Sequence, residues 1–124
     1  MKETMQTASG AGRQTLIIRI TNPSKIIIMN TQIRKGSGFW SEVKYNFDGI
    51  YVRKGSADFN EVLYTLDGIY LRKGNGFFGE VVYTIDGEYI RAGYGKFGEV
   101  VYTIDGDYIR LGYGKYGEIV YTLE

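Results

Sequence analysis

The sequence predicts an all-β fold, an antiparallel meander of tandem β-hairpins with about twelve short strands in a coiled or two-layered sheet. Three observations predict it. Tyr45, Tyr64, Tyr83, Tyr102 and Tyr121 stand 19 residues apart, and the residues between them match column by column. Every full repeat carries the dipeptide Asp-Gly, at Asp48-Gly49, Asp67-Gly68, Asp86-Gly87 and Asp105-Gly106. Around those dipeptides apolar and polar residues alternate with a period of two, as half-buried strands require. A short repeat of this kind is one supersecondary unit that must stack on its neighbours to bury anything.

The elements follow in order. Residues 1–12 lack apolar periodicity and read as a disordered tail, and residues 13–124 as a single hairpin-repeat domain. LIIRI (16–20) is an opening strand. A degenerate copy, IIIMNTQIRKGSGFWSEVK, starts at Ile26, with Met29-Asn30 in place of Asp-Gly. The copies starting at Tyr45, Tyr64, Tyr83 and Tyr102 follow, and YTLE ends the chain as a partial copy. Asp-Gly at the centre of a two-residue turn sets Ile85 against Glu88, Thr84 against Tyr89, Tyr83 against Ile90 and Val82 against Arg91. The second connection, Gly-Tyr-Gly-Lys-Phe-Gly at 93–98, must preserve parity between Val81 and Val100. A three-residue loop with a left-handed Gly as a bulge does so, and Gly79, Gly98 and Gly117 fill that position, with Asn60 and Ser41 in earlier copies.

Two faces result. One carries Val43, Val62, Val81, Val100 and Ile119, the Tyr45 column with Ile26, and the Ile28/Phe47/Leu66/Ile85/Ile104/Leu123 and Ile33/Val52/Leu71/Ile90/Ile109 columns. None is charged, so this is the core face. The other carries unbroken Glu and Arg columns (Glu42, Glu61, Glu80, Glu99, Glu118; Arg34, Arg53, Arg72, Arg91, Arg110), with Thr and Tyr columns between them. In a meander each Arg lies diagonally between two Glu. In a β-solenoid like charges would stack about 4.8 Å apart, which favours the meander. The alternatives are the solenoid and a closed barrel; a barrel of about twelve strands is expected to be too wide for these side chains to fill.

Composition narrows the function. The chain has no Cys and no His, and a net charge of +1. That removes thiolate chemistry, disulfides and the commonest general base and metal ligand. Neither the polar start nor the short runs LIIRI and KIIIMN read as a secretory signal or a bilayer span. Residues 1–62 hold nine Lys or Arg against five acids and residues 63–124 six against nine, a bias too weak to point to nucleic acid. The repeated G-x-G-x-x-G matches a kinase phosphate loop, but recurs three times with no accompanying catalytic segments, which suits a structural turn. The Asp-Gly tips offer too few oxygens for calcium. No nucleophile–base pair, cofactor or metal site is expected.

The expectation is a non-enzymatic repeat module for protein–protein assembly or scaffolding. An apolar face with no helix to cover it, and an unguarded terminal strand at 119–124, predict a homodimer or another protein partner. The alternative is a glycan- or anion-binding platform on Tyr51, Arg53, Tyr70, Arg72, Tyr89, Arg91, Tyr108 and Arg110. Aromatic hairpins of this length with Asp-Gly turns are similar in style to the cell-wall and glucan-binding repeats of bacterial surface proteins and to MORN-type hairpin repeats. That resemblance is architectural and assigns no functional residue.

Overall fold

The structure, a computed structural model, describes residues 30–124. The expected tail (1–12), the opening strand (16–20), the Ile26 and Ile28 positions and Met29 of the degenerate turn lie outside the described residues. Ten strands follow: β1 (Thr31–Lys35), β2 (Val43–Phe47), β3 (Tyr51–Lys54), β4 (Val62–Asp67), β5 (Tyr70–Lys73), β6 (Val81–Asp86), β7 (Tyr89–Ala92), β8 (Val100–Asp105), β9 (Tyr108–Leu111) and β10 (Ile119–Leu123). They pair antiparallel in sequence order, and β10 returns to β1 to close a barrel. The meander is therefore as expected, and the closed barrel is the form it takes.

The repeat phase explains the closure. YTLE is the first half of a repeat with no second half, and TQIRKG is a second half. They complete one another: Leu123 pairs with Ile33, Thr122 with Arg34 and Tyr121 with Lys35. That register is the one within a repeat, where Ile104 pairs with Ile109, Thr103 with Arg110 and Tyr102 with Leu111. Gln32 and Glu124 exchange both backbone hydrogen bonds at the seam. The strand at 119–124 is thus an interior member of the wall, and the closed sheet presents no edge. The apolar face is covered within one chain, which removes the physical reason given above for a second copy.

Two connections differ from expectation. The hairpin turn centres on Gly87-Glu88, because Asp86 pairs with Tyr89, Ile85 with Ile90, Thr84 with Arg91 and Tyr83 with Ala92. Gly87, at φ +63, takes the first central position, where primed turns require a left-handed residue. The shift from the expected pairing is two residues, so every side chain keeps its face. The second connection is longer than three residues: Ala92 N–H donates to the Glu99 carbonyl across residues 93–98. Parity is restored by a bulge, since Ile90 pairs with Tyr102 but Arg91 with Val100. Gly98 is not left-handed; a Cβ there would lie 2.2 Å from the Ala92 carbonyl oxygen. Gly79 and Gly117 meet the same obstacle at Lys73 and Leu111. Asn60 instead donates from its side chain to the equivalent carbonyl, that of Lys54.

The core fills the turn end of the barrel. Phe47, Leu66, Ile85, Ile104 and Leu123 are buried, with Ile33, Leu71 and Ile109 packed against them and Val52 among them. One step toward the loop end stand Tyr45, Tyr64, Tyr83, Tyr102 and Tyr121, their rings 5.9–6.4 Å apart in four successive contacts. Eight strands close to an interior that side chains just fill; with ten, these large rings narrow the mouth and remain half-buried. The Val43/Val62/Val81/Val100/Ile119 column, expected on the core face, is half-buried and pairs with the Arg column across the bulge, so the extra residue turns it to the Arg face and away from the core cluster.

Candidate functional site

Each loop is held to the wall by a buried hydroxyl. Thr84 is fully buried; its Oγ1 donates to the Gly93 carbonyl at 2.7 Å and accepts from Gly95 N–H at 2.8 Å. Thr65 and Thr103 repeat both bonds on their own loops. Thr122 donates to the Gly36 carbonyl across the seam. Asn46 takes the position with its amide, donating to the Gly55 and Ala57 carbonyls. A buried polar group must be partnered, and here the partner is the loop backbone.

The Arg column is a second clamp. Arg91 Nε donates to Asp86 Oδ2 at 3.0 Å and Nη1 donates to the Gly98 carbonyl at 2.9 Å. Arg72 and Arg110 do the same with Asp67 and Gly79, and with Asp105 and Gly117. Arg34 uses Glu124 and Ser41 across the seam, and Arg53 uses Asp48 and Asn60. The expected Arg–Glu ladder is therefore not formed. The observed pairing places the turn Asp opposite Tyr89 and within reach of Arg91, while the loop fold brings a carbonyl to the guanidinium.

The Tyr column supports the loops from beneath. Tyr94 stacks on Tyr70 at 4.9 Å and Tyr113 on Tyr89 at 5.0 Å, and in each pair the neighbouring phenol raises the strand phenol's pKa. In the loop column of Tyr94 and Tyr113 the earlier copies carry Asn75 and Ser37, so Asn75 stands where a ring over Tyr51 would be and Ser37 where one over Tyr108 would be across the seam. Guanidinium also lies over ring within a strand, Arg53 on Tyr51 at 5.4 Å and Arg91 on Tyr89 at 6.0 Å. The eight residues singled out from sequence thus share one face, in four of the five sectors, with their Arg side chains engaged in holding loops.

What the loops present is a column that the sequence reading passed over. Trp40, Phe59, Phe78, Phe97 and Tyr116 stand one per loop, 89–103% exposed. The signal was available, since an unbroken aromatic column 19 residues apart lies inside a Gly-rich turn. The strand alternation does not mark it, because it falls between the strands. Phe39, Phe77, Tyr94 and Tyr113 add exposed rings on the same loops. Adjacent loops recur every second strand, roughly 10 Å around the wall. Lys96 reaches toward Asp86 at 3.9 Å and Lys115 toward Glu88 at 3.5 Å.

Inside the mouth, burial and neighbouring phenols raise the pKa of Tyr64, Tyr83 and Tyr121 above the usual phenol value. Among the described residues no group of three or more His, Cys, Asp or Glu could hold a metal ion.

Residues 18–124 match the family model described as 6-fold beta flower protein, and the chain belongs to that family. The described residues hold five equivalent hairpin-and-loop sectors of the barrel. This membership replaces the architectural likeness to glucan-binding and MORN-type repeats as the chain's placement. No curated protein and no solved structure matches the chain.

Proposed function

We propose that the chain is a non-enzymatic binding module, a closed repeat barrel that holds its loops rigid and presents their aromatic tips to a partner protein. The observation that carries this reading is the set of five fully or nearly fully exposed rings, Trp40, Phe59, Phe78, Phe97 and Tyr116. A single exposed apolar residue on a soluble protein needs no explanation. Five large aromatics at one column, each on a loop anchored by a buried Thr or Asn and an Arg, form a repeated contact surface of the residue types that dominate interface hot spots. Multivalent engagement of a repeating or extended partner surface follows from the spacing. The partner is a different protein or further copies of this chain meeting through the loops. The glycan or anion platform on the Tyr/Arg face has less support, because its guanidiniums already serve the turn carboxylates and loop carbonyls.

The test replaces the five tips with Ala together. Exposed side chains contribute little to folding, so the melting temperature should hold. A partner captured by the unchanged chain, purified and titrated back, should bind the variant about a hundredfold more weakly or worse. Self-association measured by sedimentation is read in parallel on both proteins. Equal binding and equal association by the two would remove the loop tips from function.

A further inference from the structure

The loops fold back against the wall, but only two of them lay a ring on it. Tyr94, in the loop after β7, stacks on Tyr70 of β5 at 4.9 Å and 20°. Tyr113, in the loop after β9, stacks on Tyr89 of β7 at 5.0 Å and 21°. A loop thus caps the strand two places before it. By the same step Asn75 stands over Tyr51 of β3, Ser56 over Gln32 of β1, and Ser37 over Tyr108 of β9 across the seam. None of these three loop side chains is a ring, and all three are exposed. Strands β9, β10, β1, β2 and β3 are consecutive in the barrel. The uncapped positions therefore form one continuous arc, Tyr108, Gln32 and Tyr51, and the capped pair lies on the opposite side.

The uncapped Tyr51 is built like the capped Tyr70. Thr65 holds loop 74–79 by the same two bonds, to the Gly74 carbonyl and from Gly76 N–H, by which Thr84 holds loop 93–98. Asn75 therefore leaves the backbone where Tyr94 does, with a side chain too short to cover a ring. Arg53 lies over Tyr51 at 5.4 Å. A guanidinium and a stacked ring are compatible on one tyrosine, because Arg91 lies over Tyr89 at 6.0 Å while Tyr113 stacks on it. At Tyr108 the loop keeps one anchoring bond, from Thr122 to the Gly36 carbonyl. Among the described residues no ring stacks on Tyr51 or Tyr108. Both are half-buried on their strands, so each ring is held in place for a planar partner.

We propose that Tyr51 and Tyr108 each receive an aromatic side chain of the partner protein, in the position that Tyr94 and Tyr113 fill on Tyr70 and Tyr89. The proposal rests on the reading of the chain as a protein-binding module and names what the wall takes from the partner. The chemistry of the occupant is supplied by the chain itself, which places a phenol ring at the two equivalent positions. Offset stacking adds to the area such a ring buries. The two tyrosines lie four strands apart, roughly 19 Å along the wall. About six residues or more of extended chain span that distance. A partner segment with two aromatic residues at that separation fills both positions while it crosses Gln32.

The experiment titrates the full chain with 4-methylphenol and follows the tyrosine ring signals by NMR. The saturated analogue 4-methylcyclohexanol, which has no planar face, is the comparison probe. Ring signals of Tyr51 and Tyr108 should move upfield and saturate with a Kd on the order of 1–10 mM, while those of Tyr70 and Tyr89 stay in place. The cyclohexanol should bind about threefold more weakly or less. Asn75→Tyr should cap Tyr51 from within and abolish its response while Tyr108 still responds, and Ser37→Tyr should do the reverse. The partner captured in the loop-tip test should bind the Asn75→Tyr/Ser37→Tyr double variant about tenfold more weakly. The five-tip Ala variant should respond to the phenol as the original chain does. A failure of the tips in partner capture is thereby separated from a failure of the two tyrosines. The proposal is overturned if either Tyr51 or Tyr108 stays unmoved, or if Tyr70 and Tyr89 move as far. It is equally overturned if the cyclohexanol binds as tightly, if Asn75→Tyr leaves the Tyr51 response intact, or if the partner binds the double variant unchanged.

Discussion

Thr103→Val removes one hydroxyl and keeps the shape of the side chain. Thr103 is fully buried, and its Oγ1 makes two bonds, donating at 2.7 Å to the Gly112 carbonyl and accepting at 2.8 Å from Gly114 N–H. Each such bond contributes about 1 kcal/mol net, and leaving a buried partner unsatisfied costs about 1–3 kcal/mol. Valine is the better strand residue and returns a few tenths of a kcal/mol. The expected loss is about 2–3 kcal/mol for a single methyl-for-hydroxyl exchange. Thr103→Ser, which keeps the hydroxyl, should lose about 1 kcal/mol or less. Urea unfolding followed by circular dichroism measures both. The stacking of Tyr113 on Tyr89 supplies a local readout, because freeing the loop should move both rings' NMR signals toward unstacked values. A valine variant within about 0.5 kcal/mol of the original, with Tyr113 unmoved, would refute the claim that buried hydroxyls hold the loops.

Arg91→Ala should cost about 1–2 kcal/mol in the same assay, since it removes a largely shielded bond to Asp86 and another to the Gly98 carbonyl; a neutral result would show that the guanidinium is dispensable. Gly98→Ala should destabilise more than Gly106→Ala: the first puts a Cβ 2.2 Å from a backbone carbonyl, the second only places an open Cβ at φ +62, costing about 1–2 kcal/mol. Comparing their melting temperatures decides whether close approach or left-handed backbone constrains that column. Stability should also fall at alkaline pH. Tyr64, Tyr83 and Tyr121 have pKa values raised in the folded state, so their contribution is intact below the unfolded phenol value of about 10 and is lost as pH rises from there through the folded values. Tyrosinate absorbance should show phenols resisting ionisation until unfolding, and a single simple titration near the unfolded value would contradict it.

Much of the fold was legible because duplication wrote it repeatedly. The period, the Asp-Gly turns and the core columns followed from alternation alone, and a two-residue shift of the turn left them intact, whereas the bulge moved the Val43-to-Ile119 column opposite the Arg column. Closure was harder to read. The pairing of YTLE with TQIRKG joins the two ends of the described chain, and no local pattern distinguishes it from a hairpin made with the preceding residues. Gly98 was assigned to a left-handed bulge because glycine usually marks one, whereas here it avoids the Ala92 carbonyl, a contact that exists only after the loop folds back. The Arg column was visible and its partner was not. Asp86 and Glu99 are both acids near Arg91 in sequence, and the register selects Asp86. Among functional residues, the strand Tyr and Arg were found and the loop aromatics from Trp40 to Tyr116 were missed, since full exposure is a property of the folded loop.

The most direct test is the seam. In the closed barrel Gln32 and Glu124 exchange both backbone bonds, which makes Ile33 and Leu123 the neighbouring non-hydrogen-bonded pair, the closest approach between antiparallel strands. An NMR cross-strand Overhauser contact between the α-hydrogens of Ile33 and Leu123 is the expected result, together with slow exchange of the Gln32 and Glu124 amides. Its absence, or contacts that place Leu123 against any segment other than β1, would contradict the five-sector closed barrel on which the loop display and the uncapped arc both depend.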